Sequence, residues 1–226
     1  MAEASAFHTE TATDEEIAAE AAVLGPFTDA VRALVDATIR STVDLDELRA
    51  AQAEIEAITE RLTKEQIPGG YGVRYRRDGT GRAWGNAVIG LRNPIAPPLT
   101  ISTDPSGRAA ADFQLGAPYE GPPGLVHGGV ISLILDQVLG HAAGAGGRPG
   151  MTGTLTIRYR QGTPLGELRA EAWIDRAEGI KTWAKGRIIG PDGPTAEAEG
   201  LFILPRWARE RIAKGEAKGP SPKYFE

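Results

Sequence analysis

The chain has 226 residues, 41% of them apolar, and a net charge of −5. That length holds one domain of about 100–150 residues plus extensions, and the acidic balance argues against a general nucleic-acid binder. There is no cysteine, hence no disulfide framework, no thiolate catalysis and no cysteine metal site.

The N-terminus is acidic (Glu3, Glu10, Asp14, Glu15, Glu16) and lacks the basic start of a signal peptide. No apolar run reaches transmembrane length, so a cytoplasmic protein without stable membrane insertion is expected. Residues 1–24 read as a loose tail or frayed helix, with Gly25-Pro26 as punctuation and Pro26 at an early helical position. Val31, Leu34, Val35, Thr38 and Ile39 then repeat at helical spacing. Asp44 and Glu47 resemble a capping box that opens a second helix through Leu45, Leu48, Ile55, Ile58 and Leu62. Leu48, Ile55 and Leu62 are seven apart, a spacing that also suits packing against a partner chain; lying on the domain is the plainer reading. Pro68-Gly69-Gly70 ends this helix.

Arg74, Arg76, Arg77 and Arg82 form a small basic cluster, a solvated face or else a phosphate-binding edge. Asn86–Leu91 reads as a short extended piece, and Pro94, Pro97 and Pro98 exclude a central strand after it. Leu99–Thr103 and Arg108–Leu115 are expected strands joined by the turn Asp104-Pro-Ser-Gly107.

Next comes Tyr119-Glu-Gly-Pro-Pro-Gly-Leu-Val-His127-Gly-Gly, a turn-rich loop feeding a helix from Val130 to Ala143 that is apolar on every face. Asp136 is the only formal charge between Glu120 and Arg148. A carboxylate there needs a partner or a cavity; a structural Asp tied to a loop and a functional one are both open. The N–H groups at the start of a helix have no internal partner and mark its positive end. With Gly128 and Gly129 giving close access, His127-Gly-Gly suits an oxyanion, or else makes a tight loop-to-helix junction.

Gly144-Ala-Gly-Gly147-Arg-Pro-Gly150 follows a helix rather than a strand, the wrong context for a dinucleotide loop, and reads as a flexible connection. Met151–Arg160 alternates, with Met151, Gly153, Leu155, Ile157 and Tyr159 on one face and Thr152, Thr154, Thr156, Arg158 and Arg160 on the other. Glu167–Asp175, Ile180–Ile189 and Thr195–Leu204 complete an expected antiparallel meander. A basic helix, Trp207–Lys218, and a polar tail close the chain. His141, fourteen residues from His127, has no metal-ligand spacing and reads as a helix-end residue favoured by the dipole.

The order is two strands, a buried helix and four strands. Together with Gly-Leu-Val-His127-Gly-Gly-Val-Ile-Ser-Leu-Ile-Leu-Asp136, it resembles the hotdog-fold acyl-CoA thioesterases of the phenylacetate-pathway (PaaI) type, most of all the animal thioesterase superfamily member 4 group. Met151-Thr152 opening a strand that ends Tyr159-Arg160, and Glu178-Gly-Ile-Lys181, add to the likeness, which covers about residues 85–205. It implies an α+β hotdog fold, an antiparallel sheet wrapped around one central helix. Residues 86–205 would form this domain, with a helical extension over 1–85 and a C-terminal helix and tail over 206–226.

The resemblance also implies site roles. Asp136 corresponds to the catalytic carboxylate, as general base or nucleophile, and Gly128, beside His127, to the oxyanion position. Thr152 corresponds to a hydroxyl that positions the attacking water. Gly129, Arg158, Arg160 and the run Ile180, Lys181, Thr182, Trp183, Ala184, Lys185 correspond to positions that hold the coenzyme A part of an acyl-CoA substrate. Some members place an Asn shortly before His-Gly-Gly, where this chain has Glu120-Gly-Pro-Pro123. No cofactor or metal is implied. Eight helical residues separate Gly128 from Asp136 by about 12 Å, too far for one thioester carbon, so a shared site requires a homodimer or a dimer of dimers. A hotdog protein that binds acyl-CoA without hydrolysing it is the competing class. A hotdog dehydratase would need an Asp-His pair that is not found here.

Overall fold

The computed structural model describes residues 7–75 and 81–214. Its contacts divide the chain into two units, Met1–Ala96 and Pro97–Glu226.

In the first unit, strand β1 (Phe7–Thr9) pairs in parallel with β2 (Val73–Tyr75), which pairs antiparallel with β3 (Gly81–Arg82). Helix α1 runs from Asp14 to Arg40 and α2 from Leu45 to Thr63. Residues 14–24 are therefore ordered helix rather than a loose tail. Thr13 and Glu16 form a capping box, with Glu16 N–H donating to Thr13 Oγ1 and Thr13 N–H to the Glu16 carboxylate. Pro26 lies inside the helix instead of near its start. It removes one backbone bond, and the regular turns on either side carry the helix past it. Asp44 caps α2 through the N–H groups of Asp46 and Glu47, without the reciprocal Glu47 bond of a full box.

Residues 86–91 are turns, not the expected extended piece. Asn86 Oδ1 accepts from the N–H groups of Val88 and Ile89, folding the backbone back on itself. Arg32 of α1 holds the segment that follows by donating to the carbonyls of Gly90, Asn93 and Ala96. Arg76 and Arg77 lie outside the described residues.

The second unit has the hotdog arrangement. Strands β4 (Ser102–Asp104) and β5 (Arg108–Leu115) meet at the expected turn, where Asp104 Oδ1 accepts from Ser106 N–H. Then come α3 (Gly128–Ala145), β6 (Met151–Tyr159), β7 (Gly166–Glu178), β8 (Lys181–Gly190), β9 (Gly193–Ile203) and α4 (Arg206–Ala213). Residues 215–218 of the expected last helix lie outside the described residues. All six strands form one antiparallel sheet in the order β4-β5-β7-β8-β9-β6. Only β7, β8 and β9 are a meander. β6 is not the neighbour of β7: the α3 crossover carries the chain to the far edge, where β6 pairs with β9, and β5 pairs with β7.

The inner face of the sheet is lined by small residues, among them Ala109, Ala170, Ala184 and Ala196, all buried. A Cβ on Gly186 or Gly200 would stand 3.2 or 3.3 Å from Leu139, so the absence of side chains there lets α3 settle into the curved sheet. α3 buries Ile131, Ile134, Leu135, Val138, Leu139, Ala142 and Ala143. By length and apolarity it could cross a bilayer, which the sequence pattern did not suggest. Its packed face and its Asp make it the core helix of the sheet instead. Burial is one-sided, however. Leu133 remains 42% exposed, and Asp136 and Gln137 are half-buried. The connection after α3 is a packed corner: Gly146 caps the helix against Ile174, and buried Arg148 donates to the Gly179 carbonyl at 3.1 Å.

Candidate active site

The loop entering α3 is closed by its own polar groups. Glu120 Oε1 accepts from Gly124 N–H at 2.6 Å, Gly121 N–H donates to the Leu125 carbonyl, and His127 N–H to the Tyr119 carbonyl. A Cβ at Gly121 would lie 2.8 Å from His127 Cα, so only glycine fits against the helix entrance. His127 is the N-cap. Its Nδ1 accepts from Gly129 N–H at 3.0 Å, which puts the proton of the neutral ring on Nε2. Gly129 N–H is thereby occupied. Gly128 N–H is the first-turn donor that has no acceptor among the described residues, and it sits at the positive end of the helix.

Two residues not anticipated from the sequence brace this helix start. The Tyr159 hydroxyl at the end of β6 donates to the Gly128 carbonyl at 2.8 Å, and Ser132 Oγ donates to the same carbonyl at 3.0 Å. The two hydroxyls are themselves 3.0 Å apart. The available signals were Ser132 one turn beyond Gly128 and an aromatic ending the alternating strand.

Two turns further along α3, Asp136 Oδ1 accepts from Thr152 Oγ1 at 2.8 Å. Strict alternation would turn Thr152 to the outer face of the sheet with Thr154. The register shows why it does not: Thr152 pairs with Phe202 and Thr154 with Leu201, leaving Gly153 as an extra residue in a β-bulge. The bulge shifts the phase by one, so Thr152 joins Leu155, Ile157 and Tyr159 on the helix side. Gly153 is pressed close to Ile203, whose Cδ1 would be 2.9 Å from an added Cβ.

Asp136 therefore lies on the flank of α3 that the sheet leaves uncovered. Beside it run Leu133 and edge strand β6, with Met151 62% and Tyr159 53% exposed. Gly128 and Asp136 belong to one unbroken helix, so the rise of eight residues keeps them about 12 Å apart.

The expected coenzyme-binding residues do not converge with Asp136 in one protomer. Arg158 and Lys185 point to the outer face, where a cleft of about 530 Å3 is lined by Thr156, Trp173, Arg187, Glu197 and Glu199 as well. Arg158 has no ion-pair partner among the described residues, whereas Arg160 is held by Glu197 at 2.6 Å. Lys185 pairs with Asp175 at 2.9 Å and holds that carboxyl below the usual range, with desolvation opposing. Trp183 lies under the Arg176 guanidinium, 4.2 Å from its ring centroid. Thr182 and Ala184 are buried on the inner face, and Ile180 and Lys181 sit at the exposed β7–β8 turn. Burial pushes the His141 imidazole below its ordinary value, so desolvation outweighs the helix dipole that was expected to favour its cation. Among the described residues no three His, Asp or Glu side chains gather as metal ligands would.

The family model of the thioesterase superfamily matches residues 123–189. The chain is 38% identical over 98 residues to acyl-coenzyme A thioesterase THEM4 of Xenopus laevis, covering 40% of this chain and 42% of that one. It is 33% identical over 99 residues to THEM4 of Bos taurus, covering 42% and 40%. The match thus spans about two fifths of the length of these curated relatives. A crystal structure described as a thioesterase superfamily protein is 30% identical and superimposes with a TM-score of 0.72, covering 88% of this chain and 98% of that one. Such coverage reaches well beyond the second unit, Pro97–Glu226, into the helical first unit.

Proposed function

The chain belongs to the thioesterase superfamily, and from that membership we propose that it is an acyl-CoA thioesterase, converting an acyl-CoA and water into a free acid and coenzyme A. The observation that supports this most is the 2.8 Å bond from Thr152 to Asp136 Oδ1, built by the Gly153 bulge on the open flank of α3. It fixes one carboxylate oxygen and leaves the other to take a proton.

In the proposed reaction, Asp136 is the general base. Water attacks the thioester carbonyl carbon as its proton passes to Asp136, and the carbonyl oxygen becomes an oxyanion. Gly128 N–H and the helix dipole behind it stabilise that charge. The intermediate collapses by breaking the C–S bond, and the proton on Asp136 passes to the departing thiolate. His127 shapes this site by holding Gly129 N–H, and Tyr159 and Ser132 by holding the Gly128 carbonyl.

Because about 12 Å of helix separates the two groups, each site is composite, with Asp136 and Thr152 of one protomer facing Gly128 of the partner subunit. A homodimer related by a two-fold axis makes two such sites. The uncovered flank of α3, exposed Leu133 and Met151, and the open edge of β6 supply a surface for it. Arg158, without a carboxylate partner among the described residues, is the cation we assign to the phosphates of coenzyme A.

The test is thiol release from a panel of acyl-CoAs by the wild type, Asp136→Ala and Thr152→Ala. Hydrolysis of at least one acyl-CoA, lost in Asp136→Ala, is expected. No hydrolysis of any, or full activity in Asp136→Ala, overturns the reading. A chain that stays monomeric at micromolar concentration while active would remove the composite site alone.

A further inference from the structure

The first unit holds a cluster of charges that the proposed reaction does not use. Tyr71 is the centre of an arginine–aromatic ladder. The Arg74 guanidinium stands 4.4 Å from its ring centroid and that of Arg92 5.3 Å. The Trp84 ring stacks with it at 6.5 Å and 18° between planes, and Arg82 lies 4.1 Å over Trp84. The β2–β3 register sets Arg74 directly opposite Arg82, so two like charges share one face of a small sheet.

These charges are compensated unequally. Arg82 donates to both oxygens of Glu10, at 2.8 and 2.6 Å, and to Glu20 at 2.9 Å, which holds its guanidinium even more firmly charged than usual. Arg74 and Arg92 have no carboxylate among the described residues. Arg74 Nε is buried without a hydrogen-bond partner, and the Tyr71 hydroxyl is buried in the same state. Among the described residues the two carboxylates of this cluster, Glu10 and Glu20, both pair with Arg82, so Arg74 and Arg92 remain uncompensated there. A guanidinium stacked on a ring can use its donors only at its edge, in its own plane. A buried donor left unpaired is destabilising, and more so when it carries charge. Two orphaned atoms beside two arginines that lack a carboxylate among the described residues leave room for an acceptor from outside the chain.

We infer that Tyr71, Arg74 and Arg92 form a binding site for a tetrahedral oxyanion of the phosphate class. A carboxylate has two coplanar oxygens and fills one guanidinium edge. Two guanidinium groups and a hydroxyl gathered about one ring offer more donors than a planar carboxylate can accept, and they suit the oxygens of a phosphate. This inference is independent of the thioesterase reading and survives its failure.

The test is calorimetric titration of the full chain with inorganic phosphate, at ionic strength held constant with sodium chloride. Saturable binding is expected in the wild type. Arg74→Gln should weaken it about tenfold or more, the worth of a charge-assisted bond. Arg92→Gln, at an exposed position, should fold normally and weaken it by a smaller factor. Tyr71→Phe separates the site from a merely structural ladder: it deletes an orphaned hydroxyl, so the melting temperature should hold or rise while phosphate affinity falls. Competition by coenzyme A but not by dephospho-coenzyme A would identify a phosphate monoester as the occupant. Competition by neither would identify free phosphate, and both results support the site. No saturable phosphate binding, or wild-type affinity retained in both Arg74→Gln and Arg92→Gln, overturns it.

Discussion

Helices α2 and α3 are nearly equal in length, 19 and 18 residues, and opposite in fate: α2 buries none of its residues and α3 buries seven. Apolar spacing does not separate them, since Leu48, Ile55 and Leu62 of α2 recur at helical intervals yet stay exposed. The difference is the surface each meets. α3 lies in a sheet whose alanines and glycines were cleared for it, whereas α2 is a helix by virtue of its Asp44 cap and its own propensity. Within α3 the same contrast repeats. One face builds the core, and the other, with Leu133 and Asp136, is left uncovered by the sheet.

The contrast between those two faces is broken most severely by Asp136→Ala. Its carboxylate is half-buried and accepts a hydrogen bond from Thr152 Oγ1. If Asp136 is the general base proposed above, its loss should lower kcat by about 10²–10⁴-fold, with the melting temperature almost unmoved. A stability loss matching that of a core variant would mean that Asp136 serves packing. The contrast between helices is tested next. Leu135→Ala, fully buried on α3, should destabilise the protein by about 2–5 kcal/mol. Ile55→Ala on α2 should change it by about 0.5 kcal/mol or less, measured by urea unfolding. An equal loss at Ile55 would show that α2 is covered in solution.

Gly153→Ala acts on geometry rather than chemistry. The added methyl meets Ile203 and presses on the bulge that turns Thr152 toward Asp136. A small displacement of a catalytic group lowers rate by about ten- to a hundredfold, and acyl-CoA hydrolysis with kcat and KM separated will read it. Retention of full kcat would mean that the bulge does not set the Thr152 position.

What was legible in the sequence was local. Helix α3, the His127-Gly-Gly entrance, Asp136, and strands such as Arg108–Leu115 follow from turn residues and periodicity over a few positions. The side of β6 on which Thr152 stands was not legible, because one extra residue reverses a period-two pattern and Gly153 looks like any strand glycine. The place of β6 beside β9 was hidden too, since sheet order is decided by the crossover of α3. Tyr159 was visible as an apolar strand residue but not as the brace of Gly128, a contact 31 positions away in the chain. The Thr13–Glu16 capping box, by contrast, was there to be read and was outweighed by the punctuation at Gly25-Pro26.

The smallest effect concerns His141, on the packed side of the contrast. Burial holds its folded pKa below the ordinary 6.5. As pH falls through about 6.5, the unfolded chain takes up the proton first and the folded chain resists it, so stability declines from there down to the folded pKa. Above that window both forms are neutral and His141 adds no pH dependence. The carboxyls of Glu171 and Asp175, both held below their ordinary values by arginine or lysine partners, lose their contribution only at lower pH. The two contributions are thus separable. Urea midpoints at pH 8, 6 and 5 should fall in the wild type and flatten in His141→Gln, which keeps a polar side chain of similar size without a proton to accept. If the variant and the wild type decline in parallel, His141 has no part in the acid limb, and the packed face of α3 is wet enough there to hold its charge.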